Sequence, residues 1–153
     1  MPEPDAVEML IELAQKASDE RARTLGNALR RESSDGERLR LLDDYRNEYL
    51  VKYAKLRKEG VSATSMLNYQ HFLDKLDIAI TQQQHALTHS QATAGAARKA
   101  LGESERRRQS LVVLRKRRRA SELLIEARRE QKLHDEWATQ GGRESQFFNG
   151  DAD

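Results

Sequence analysis

The sequence predicts an all-α protein in which two long helices form an antiparallel coiled-coil hairpin, the second helix being longer and overhanging the first. Three observations predict this fold. Only 37% of the residues are hydrophobic and 34% are charged, a composition that suits disorder or helices that bury one narrow seam. Apolar or small residues recur at steps of three and four, which favours the helices. The only prolines are Pro2 and Pro4, so no strong helix breaker follows Asp5.

Helix one is predicted over about residues 5–58. Pro4 suits the first turn of a helix, and the carboxylate of Asp5 complements the helix dipole. The polar stretch 32–36 allows two interpretations: a loop between two helices, or a polar patch inside one helix. We favour one helix because the periodicity resumes in phase at Leu39. The predicted seam residues are Val7, Leu10, Ala14, Ala17, Leu25, Ala28, Leu39, Leu42, Tyr49, Tyr53 and Leu56.

A turn is predicted over about residues 59–64, because Gly60 follows the last periodic residue and hydroxyl residues suited to helix capping come next. Helix two then covers about 65–139, or about 110 Å at the standard rise. Gly141 and Gly142 are expected to end it, which leaves 141–153 as a disordered tail and 1–140 as a single hairpin. The predicted seam residues of helix two are Leu73, Leu76, Ile80, Leu87, Ala94, Ala97, Leu101 and Leu111.

Folding helix two back on helix one pairs positions whose numbers add up to 121 or 122. This register sets apolar residues opposite one another, for example Leu42 and Ile80. It also places Gly26 near Gly95, so we expect the helix axes to approach most closely there. The small residues expected around this waist are Ala92, Ala94, Ala96 and Ala97.

The register also predicts that helix two continues alone, because helix one runs out near residue 5, whose partner lies near 116. Residues 115–119 are all basic and, at about 100° per residue, surround the helix, which suits a buried seam poorly. An apolar surface without a partner in the chain follows and is a candidate docking site. It consists of Leu123, Leu124, Ile125, Ala127, Leu133 and Trp137.

The aromatic residues are concentrated near the turn. Of the eight Phe, Tyr and Trp residues, five lie there. Phe72, Leu76 and Ala79 form a second stripe beside the seam. This predicts either an apolar surface for a partner or a locally thicker core. The five residues are Tyr45, Tyr49, Tyr53, Tyr69 and Phe72.

No motif predicts catalysis. His85 and His89 have the helical spacing of two metal ligands, but no glutamate or cysteine accompanies them as in known metal motifs. Phosphate-binding loops and nucleophile elbows are missing. We therefore expect no enzyme, cofactor or metal site. The lack of cysteine fits a reducing cytoplasm, and no signal peptide or membrane anchor is recognised at the start of the chain.

The basic residues of 106–119 give an alternative function, binding of DNA or RNA phosphates. Aromatic residues that would stack on bases are missing nearby, acidic residues lie on both sides, and the net charge is only +2. A charged protein partner or a solvated surface is favoured instead, and no nucleic acid is expected.

Three segments together resemble the FliJ family, the soluble coiled-coil component of the flagellar type III export machinery. They are 42–49 (LDDYRNEY), 68–73 (NYQHFL) running on to 79–80, and 130–138 (EQKLHDEWA). The chain departs from the family in having Trp137 where Phe is usual and in the unusually basic run 115–119. A related alternative is the stalk of virulence injectisomes, but the aromatic segments favour the flagellar family.

The resemblance implies a non-enzymatic stalk in the cytoplasm, attached to the inner face of the cell membrane only through the export apparatus. Its partners would be the export ATPase hexamer with its regulator, the cytoplasmic part of the export gate, and the export chaperones. The gate and chaperone surface would comprise Leu42, Tyr45, Tyr49, Phe72, Leu76 and Ala79. The end that seats in the ATPase ring, which we call the ring end, would be formed by the start of helix one and about residues 118–139. It would include Val7, Leu10, Leu124, Ala127, Gln131 and Trp137.

Overall fold

The fold consists of two helices in a computed structural model that describes residues 6–148, with side chains to 145. Helix α1 covers Ala6–Glu59 and helix α2 covers Ala63–Phe148. The described residues contain no strand, and the helices pack against each other. The predicted antiparallel helical hairpin with a longer second helix is therefore confirmed.

Helix α1 runs through the polar stretch 32–36 without a break, as the one-helix interpretation predicted. The reason is that this stretch keeps the seam in phase. Glu32 and Leu39 are half-buried and Asp35 is buried, at successive steps of three and four. Polar residues therefore occupy seam positions here.

The turn between the helices depends on Gly60, which has φ = 86°. An L-residue with a Cβ rarely adopts this left-handed conformation. Ser62 then caps α2, because its hydroxyl accepts a hydrogen bond from the backbone N–H of Ser65 at 3.3 Å. The Ser62 carbonyl accepts a further bond from the Met66 N–H at 3.1 Å. The turn is thus tighter than the predicted 59–64.

The prediction that α2 ends at about 139 is wrong. The helix passes through Gly141 and Gly142 and ends at Phe148, so the expected disordered tail does not apply to 141–148. Glycine ends a helix when it adopts the left-handed conformation, and among the described residues only Gly60 has a positive φ. The remainder of the predicted tail, 149–153, lies outside the described residues.

Contacts divide the chain into two units, one comprising 14–106 and the other the segments before and after it. In the 14–106 unit the predicted register is confirmed by the hydroxyls of Ser18 and Ser104, whose oxygens are 3.0 Å apart. Their numbers add up to 122. The buried apolar residues of this unit are Ala14, Ala28, Leu76, Ile80, Ala94 and Ala97.

The small-residue region of the 14–106 unit differs from the predicted waist. Ala94 is fully buried in a cluster with Ala28 and Ala97. Gly95, in contrast, is exposed, and a Cβ placed on it would meet nothing within 4 Å. The expected facing of Gly26 and Gly95 is therefore wrong: heptad spacing turns Ala94 and Ala97 inward and Gly95 outward. Ala92 and Ala96 are likewise exposed.

Polar seam residues find partners across the hairpin. The Gln83 side-chain amide donates to the Asp35 carbonyl at 3.0 Å and to its carboxylate at 3.4 Å. Ser18, which the sequence analysis passed over in favour of Ala17, is buried while Ala17 is exposed. Within the described residues, no buried side-chain nitrogen or oxygen lacks a hydrogen-bond partner, which is how a polar seam avoids the cost of desolvation.

In the other unit, the start of α1 packs on α2 around residues 111–115. Val7 is buried, and Ile11, Leu111 and Arg115 are half-buried. Over the described part of the chain, neither helix has a stretch long and apolar enough to cross a membrane.

Candidate interaction surfaces

The most prominent surface is the unpartnered segment of α2, residues 120–145, in which every residue is exposed. It carries several large apolar side chains, and Trp137 is 75% exposed. Exposed apolar residues are common singly, but a row of them on one segment is typical of a binding surface. The exposed large apolar residues here are Leu123, Leu124, Ile125, Leu133 and Trp137.

This apolar surface does not continue the hairpin seam. The seam phase through 108, 111 and 115 would next reach 118, 122, 125, 129, 132 and 136, and five of these six residues are charged. A second row with the same spacing runs through 120, 124, 127, 131, 134 and 138 instead. At about 100° per residue it lies about 160° around the helix from the first. We call it the outer row: Ala120, Leu124, Ala127, Gln131, His134 and Ala138.

Beside the outer row lies a shallow, open groove lined by Glu130, Leu133, His134 and Trp137. These residues are three and four positions apart, so they share one face of the helix. The groove presents an indole, an aliphatic side chain and polar groups at its edge. It therefore suits insertion of a partner's side chain better than chemistry.

The predicted ring-end residues fall in two places. Leu124, Ala127, Gln131 and Trp137 are exposed on the unpartnered segment, and Leu10 is exposed near the start of α1. Val7 is buried in the hairpin and contributes to packing there. The register sets Val7 opposite Arg115, about 33 Å along the helix from Trp137 at the standard rise. Val7 and Trp137 therefore do not form one contiguous contact.

The basic run 115–119 is partly engaged within the chain. The Arg115 guanidinium donates to both carboxylate oxygens of Glu8, at 3.1 and 3.2 Å. Arg119 approaches the same carboxylate at 3.5 Å. Because these side chains are partly exposed, each pair contributes at most about 1 kcal/mol. The run thus anchors the start of α1 while Lys116 and Arg117 remain exposed.

Near the turn, aromatic rings from both helices form a continuous ladder. Tyr49 lies at its centre, with ring centroids 4.6 Å from Phe72 and 4.9 Å from Tyr69. Tyr45 contacts Phe72 edge to face at 6.1 Å, and Tyr53 contacts Tyr69 at 5.4 Å. Such pairs stabilise by about 0.5–1.5 kcal/mol each beyond burial. The sequence allowed two alternatives for these aromatic residues, an apolar surface for a partner or a locally thicker core. The ladder has features of both.

Burial within the ladder raises the pKa of Tyr49 above its ordinary value of 10.0, and the neighbouring Tyr69 and Tyr45 phenols raise it further. The cause is that a phenolate loses solvation among other rings. Tyr49 is therefore held neutral, which suits an apolar contact surface.

Five of the six residues predicted for the gate surface keep some exposure to solvent. Tyr45 is 49% exposed, and Leu42, Tyr49, Phe72 and Ala79 are half-buried. Leu76 differs, being only 7% exposed. It occupies a seam position, so it supports the surface from beneath.

Sequence reasoning missed two features of this region. Tyr53 and Tyr69 were both singled out near the turn, but their contact with each other was not predicted, although the register sets them opposite each other. Arg46 also bridges the helices, with its Nε 2.6 Å from the Asp77 carboxylate. Arg46 occupies a seam position between Leu42 and Tyr49. A charged residue at a seam position, which is usually apolar, is the sequence feature that could have predicted this bridge.

The two histidines that the sequence analysis singled out have no metal-binding companions in the described chain. His85 and His89 are both exposed on α2. Across residues 6–148, no three His, Asp or Glu side chains are close enough to hold a metal ion.

Fold and surfaces together define an antiparallel two-helix coiled-coil protein that carries an unpaired helical extension. Residues 4–146 match the family model described as "Flagellar FliJ protein". The chain is 36% identical over 138 residues to the Flagellar FliJ protein of Salmonella typhi, covering 90% of this chain and 94% of that protein. It is 33% identical to the Flagellar FliJ protein of Escherichia coli strain K12, with the same coverage.

The chain therefore belongs to the FliJ family of flagellar proteins and is a component of flagellar protein export. The family resemblance found in the sequence is confirmed. The match spans both helices, so it includes the aromatic ladder as well as the unpartnered segment.

Proposed function

We propose that the chain is a non-catalytic stalk of the flagellar type III export apparatus. Its unpartnered segment seats in the hexameric export ATPase, together with the start of α1, and promotes assembly or turnover of the ring. Its turn-proximal half contacts the cytoplasmic part of the export gate. The observation that carries the proposal is the apolar surface of residues 120–145.

The energetics of this surface support a protein partner. Moving a large apolar side chain from water into an interface contributes roughly 1.5–3 kcal/mol, so a few of the exposed residues would supply the affinity of a stable contact. No part of the described chain covers the outer row, because residues 120–145 are all exposed. Seating in a ring suits this arrangement because a cavity that surrounds the helix would cover both the outer row and Ile125, which lies on another side.

The aromatic ladder supports a second contact at the other part of the hairpin. Tyr45 is exposed and Phe72 is half-buried, and each ring is held by contact with the other. Preorganised aromatic side chains bind with little loss of conformational entropy. We assign this surface to the gate and, when the gate is absent, to the export chaperones that the chain escorts.

These contacts would hold the chain in the cytoplasm, at the inner face of the cell membrane, through the export gate. The regulator of the ATPase would then share the ring with the stalk. Two long helices suit this task because a stiff coiled coil can carry two binding surfaces without switching between two conformations.

The test adds the purified chain to the cognate export ATPase and measures both ATP turnover and hexamer formation. Wild-type chain is expected to raise both. The variant Leu124→Ala/Trp137→Ala should need at least about tenfold more protein for the same effect, corresponding to the loss of one to two kcal/mol of contact. Val51→Ala/Leu67→Ala is the matched control, since it removes two exposed apolar side chains elsewhere.

Unchanged turnover and unchanged hexamer formation with wild-type chain would overturn the ring contact. Equal losses in the two double variants would also contradict it, because the effect would then not come from the unpartnered segment. Circular dichroism of each variant establishes that the helices are retained.

A further inference from the structure

We infer that the segment of the export gate that binds the aromatic ladder is acidic, because basic residues border the rings on the same side of the hairpin. This inference rests on the gate contact proposed above and names the chemistry of the partner there. The basic residues are Arg38, Lys52 and Lys75. They would pair with carboxylates of a gate segment whose apolar side chains lie against Tyr45 and Phe72.

Contacts between the helices distinguish the two sides of the hairpin. Tyr45 and Phe72 touch each other across the helices, and we call their side the ladder side. Arg46, at a seam position, reaches Asp77, which lies five positions after Phe72 and therefore about 140° around α2 from it. We call the side of Asp77 the opposite side. Residues seven positions apart in a coiled coil keep the same side, so these contacts assign their neighbours along both helices.

Three cations border the rings on the ladder side. Arg38 and Lys52 lie seven positions before and after Tyr45, about 10 Å from it in each direction along α1. Lys75 lies three positions after Phe72, so the two residues are neighbours on the surface of α2. All three cations are exposed. No described residue forms an ion pair with any of them, so their charges are available to a partner.

The two sides carry opposite charge over the same length of hairpin, residues 38–52 and 72–86. The ladder side has these three basic residues and one acidic residue, Glu48. The opposite side has one basic residue, Arg40, and three acidic residues. The acidic residues are Asp43, Asp74 and Asp77. Positive charge therefore accompanies the aromatic rings, and a complementary potential of this kind selects a partner and its orientation.

The size of the ladder side suits a short segment of a partner. Ala79 and Ala86 are half-buried there, seven and fourteen positions after Phe72, and small side chains let a partner backbone approach closely. From Arg38 to Lys52 the surface is about 21 Å long at the standard rise. This length matches about fourteen residues of a helix or about six of an extended strand. Such a segment can contact both rings and both end cations at once.

The test is titration calorimetry of the full chain with the cytoplasmic part of the gate, at about 0.1 M and about 1 M salt, where charges act over about 10 Å and about 3 Å. Arg38→Glu/Lys52→Glu should weaken binding at least about tenfold at the lower salt, because two attractions become repulsions. At the higher salt, this variant and wild type should bind within about threefold of each other.

Arg40→Glu/Arg57→Glu is the matched control. It reverses two exposed charges of α1 on the opposite side, so it changes the net charge by the same amount. Its affinity for the gate should stay within about threefold of wild type at both salt concentrations. Circular dichroism establishes that the helices are retained in both variants.

Carbodiimide cross-linking provides a second measurement, because the reagent joins a lysine amine to a nearby carboxylate with loss of water. Lys52 and Lys75 should each be joined to an Asp or Glu of the gate. Lys16 and Lys58 are exposed at heptad positions that point away from α2 and should not be joined. Lys52→Arg/Lys75→Arg keeps both charges, so it should abolish the cross-links while the affinity stays within about threefold of wild type.

The outcomes separate this inference from the gate contact itself. If Phe72→Ala weakens gate binding but Arg38→Glu/Lys52→Glu does not, the ladder binds the gate and the acidic segment is wrong. Equal losses in the two charge reversals would also overturn the inference, because the gate would then respond to net charge. Cross-links from Lys58 as abundant as those from Lys52 would do the same. A wild-type chain that does not bind the gate would overturn the proposed contact and this inference with it.

Discussion

Tyr49 of α1 and Phe72 of α2 face each other with ring centroids 4.6 Å apart and planes tilted by 46°. Tyr49 also contacts Tyr69, so one α1 side chain holds two rings of α2. This makes Tyr49 the centre of the aromatic ladder. Both packing of the hairpin and the shape of the proposed gate surface depend on it.

Phe72→Ala should therefore lower both stability and gate binding. Because Phe72 is half-buried, we expect the free energy of unfolding to fall by about 2 kcal/mol, less than for a fully buried phenylalanine. Binding to the cytoplasmic part of the gate should weaken at least about tenfold. Urea unfolding and titration calorimetry measure the two effects.

Val51→Ala serves as the control for this substitution, since Val51 is an exposed apolar residue outside the ladder. It should change neither quantity appreciably. If Phe72→Ala lowers stability while gate binding of the folded protein stays the same, the ladder is a thickened core and the surface assignment is wrong.

The raised pKa of Tyr49 predicts a dependence of stability on pH. The folded protein keeps this phenol neutral at pH values where the unfolded phenol, with its ordinary pKa of 10.0, has begun to ionise. The folded state thus binds more protons, so the contribution is fully present below pH 10.0 and is lost as pH rises above it. Unfolding free energies of wild type and Tyr49→Phe, compared across this range, isolate the effect.

A steeper decline in wild type than in Tyr49→Phe is the expected result, because phenylalanine has no proton to lose. Parallel declines would show that Tyr49 titrates like an ordinary tyrosine and that its ring is well solvated. Near-ultraviolet absorbance of tyrosinate in the same samples provides a direct check.

The two-helix fold, the turn and the register could be predicted from the sequence because they depend on features that repeat along the whole chain. The apolar pattern determines the phase of each seam, and the short turn at Gly60 then determines which positions face each other. The Ser18–Ser104 contact agrees with it. The residue that fills one particular seam position is harder to predict, because two neighbouring small residues can fit the same periodicity equally well. Ala17 was chosen over Ser18 for that reason.

Which side chains of a candidate surface are exposed depends on the exact phase of each helix. Leu76 and Val7 were expected both in the seam and among the contact residues, and the structure buries both in the seam. The outer row was not recognised from the sequence. Two of its residues, Gln131 and His134, are polar. The row can be told apart from the hairpin seam only when it is known which helix face the hairpin buries. Likewise the end of α2 depends on the backbone conformation of Gly141, which composition does not determine.

The glycines allow a matched pair of substitutions with opposite signs. Gly60→Ala should lower the free energy of unfolding by about 1–2 kcal/mol, because alanine is strained at φ = 86°. Gly95→Ala should raise it by up to about 1 kcal/mol, because this exposed helical position has nothing within 4 Å of the new methyl. Thermal unfolding followed by circular dichroism measures both.

If Gly95→Ala destabilises the protein, the helix face at residue 95 is in contact with something, and the assignment of Ala94 and Ala97 to the seam is wrong. If Gly60→Ala is neutral, the turn does not require a left-handed residue. The two outcomes test different parts of the hairpin, so they are read independently.

The pairing of Asp35 with Gln83 predicts a non-additive result. Asp35 is only 8% exposed, and the Gln83 amide donates to both its carbonyl and its carboxylate. Gln83→Leu alone leaves the carboxylate beside an aliphatic side chain, so the free energy of unfolding should fall by about 1–3 kcal/mol. Asp35→Leu/Gln83→Leu should recover this loss and exceed wild type, since an apolar pair fits a coiled-coil seam and needs no hydrogen bond. A double variant less stable than Gln83→Leu alone would mean that the Asp35 carboxylate is solvated without Gln83. The Asp35–Gln83 pair would then not be the cause of the interruption in the apolar seam.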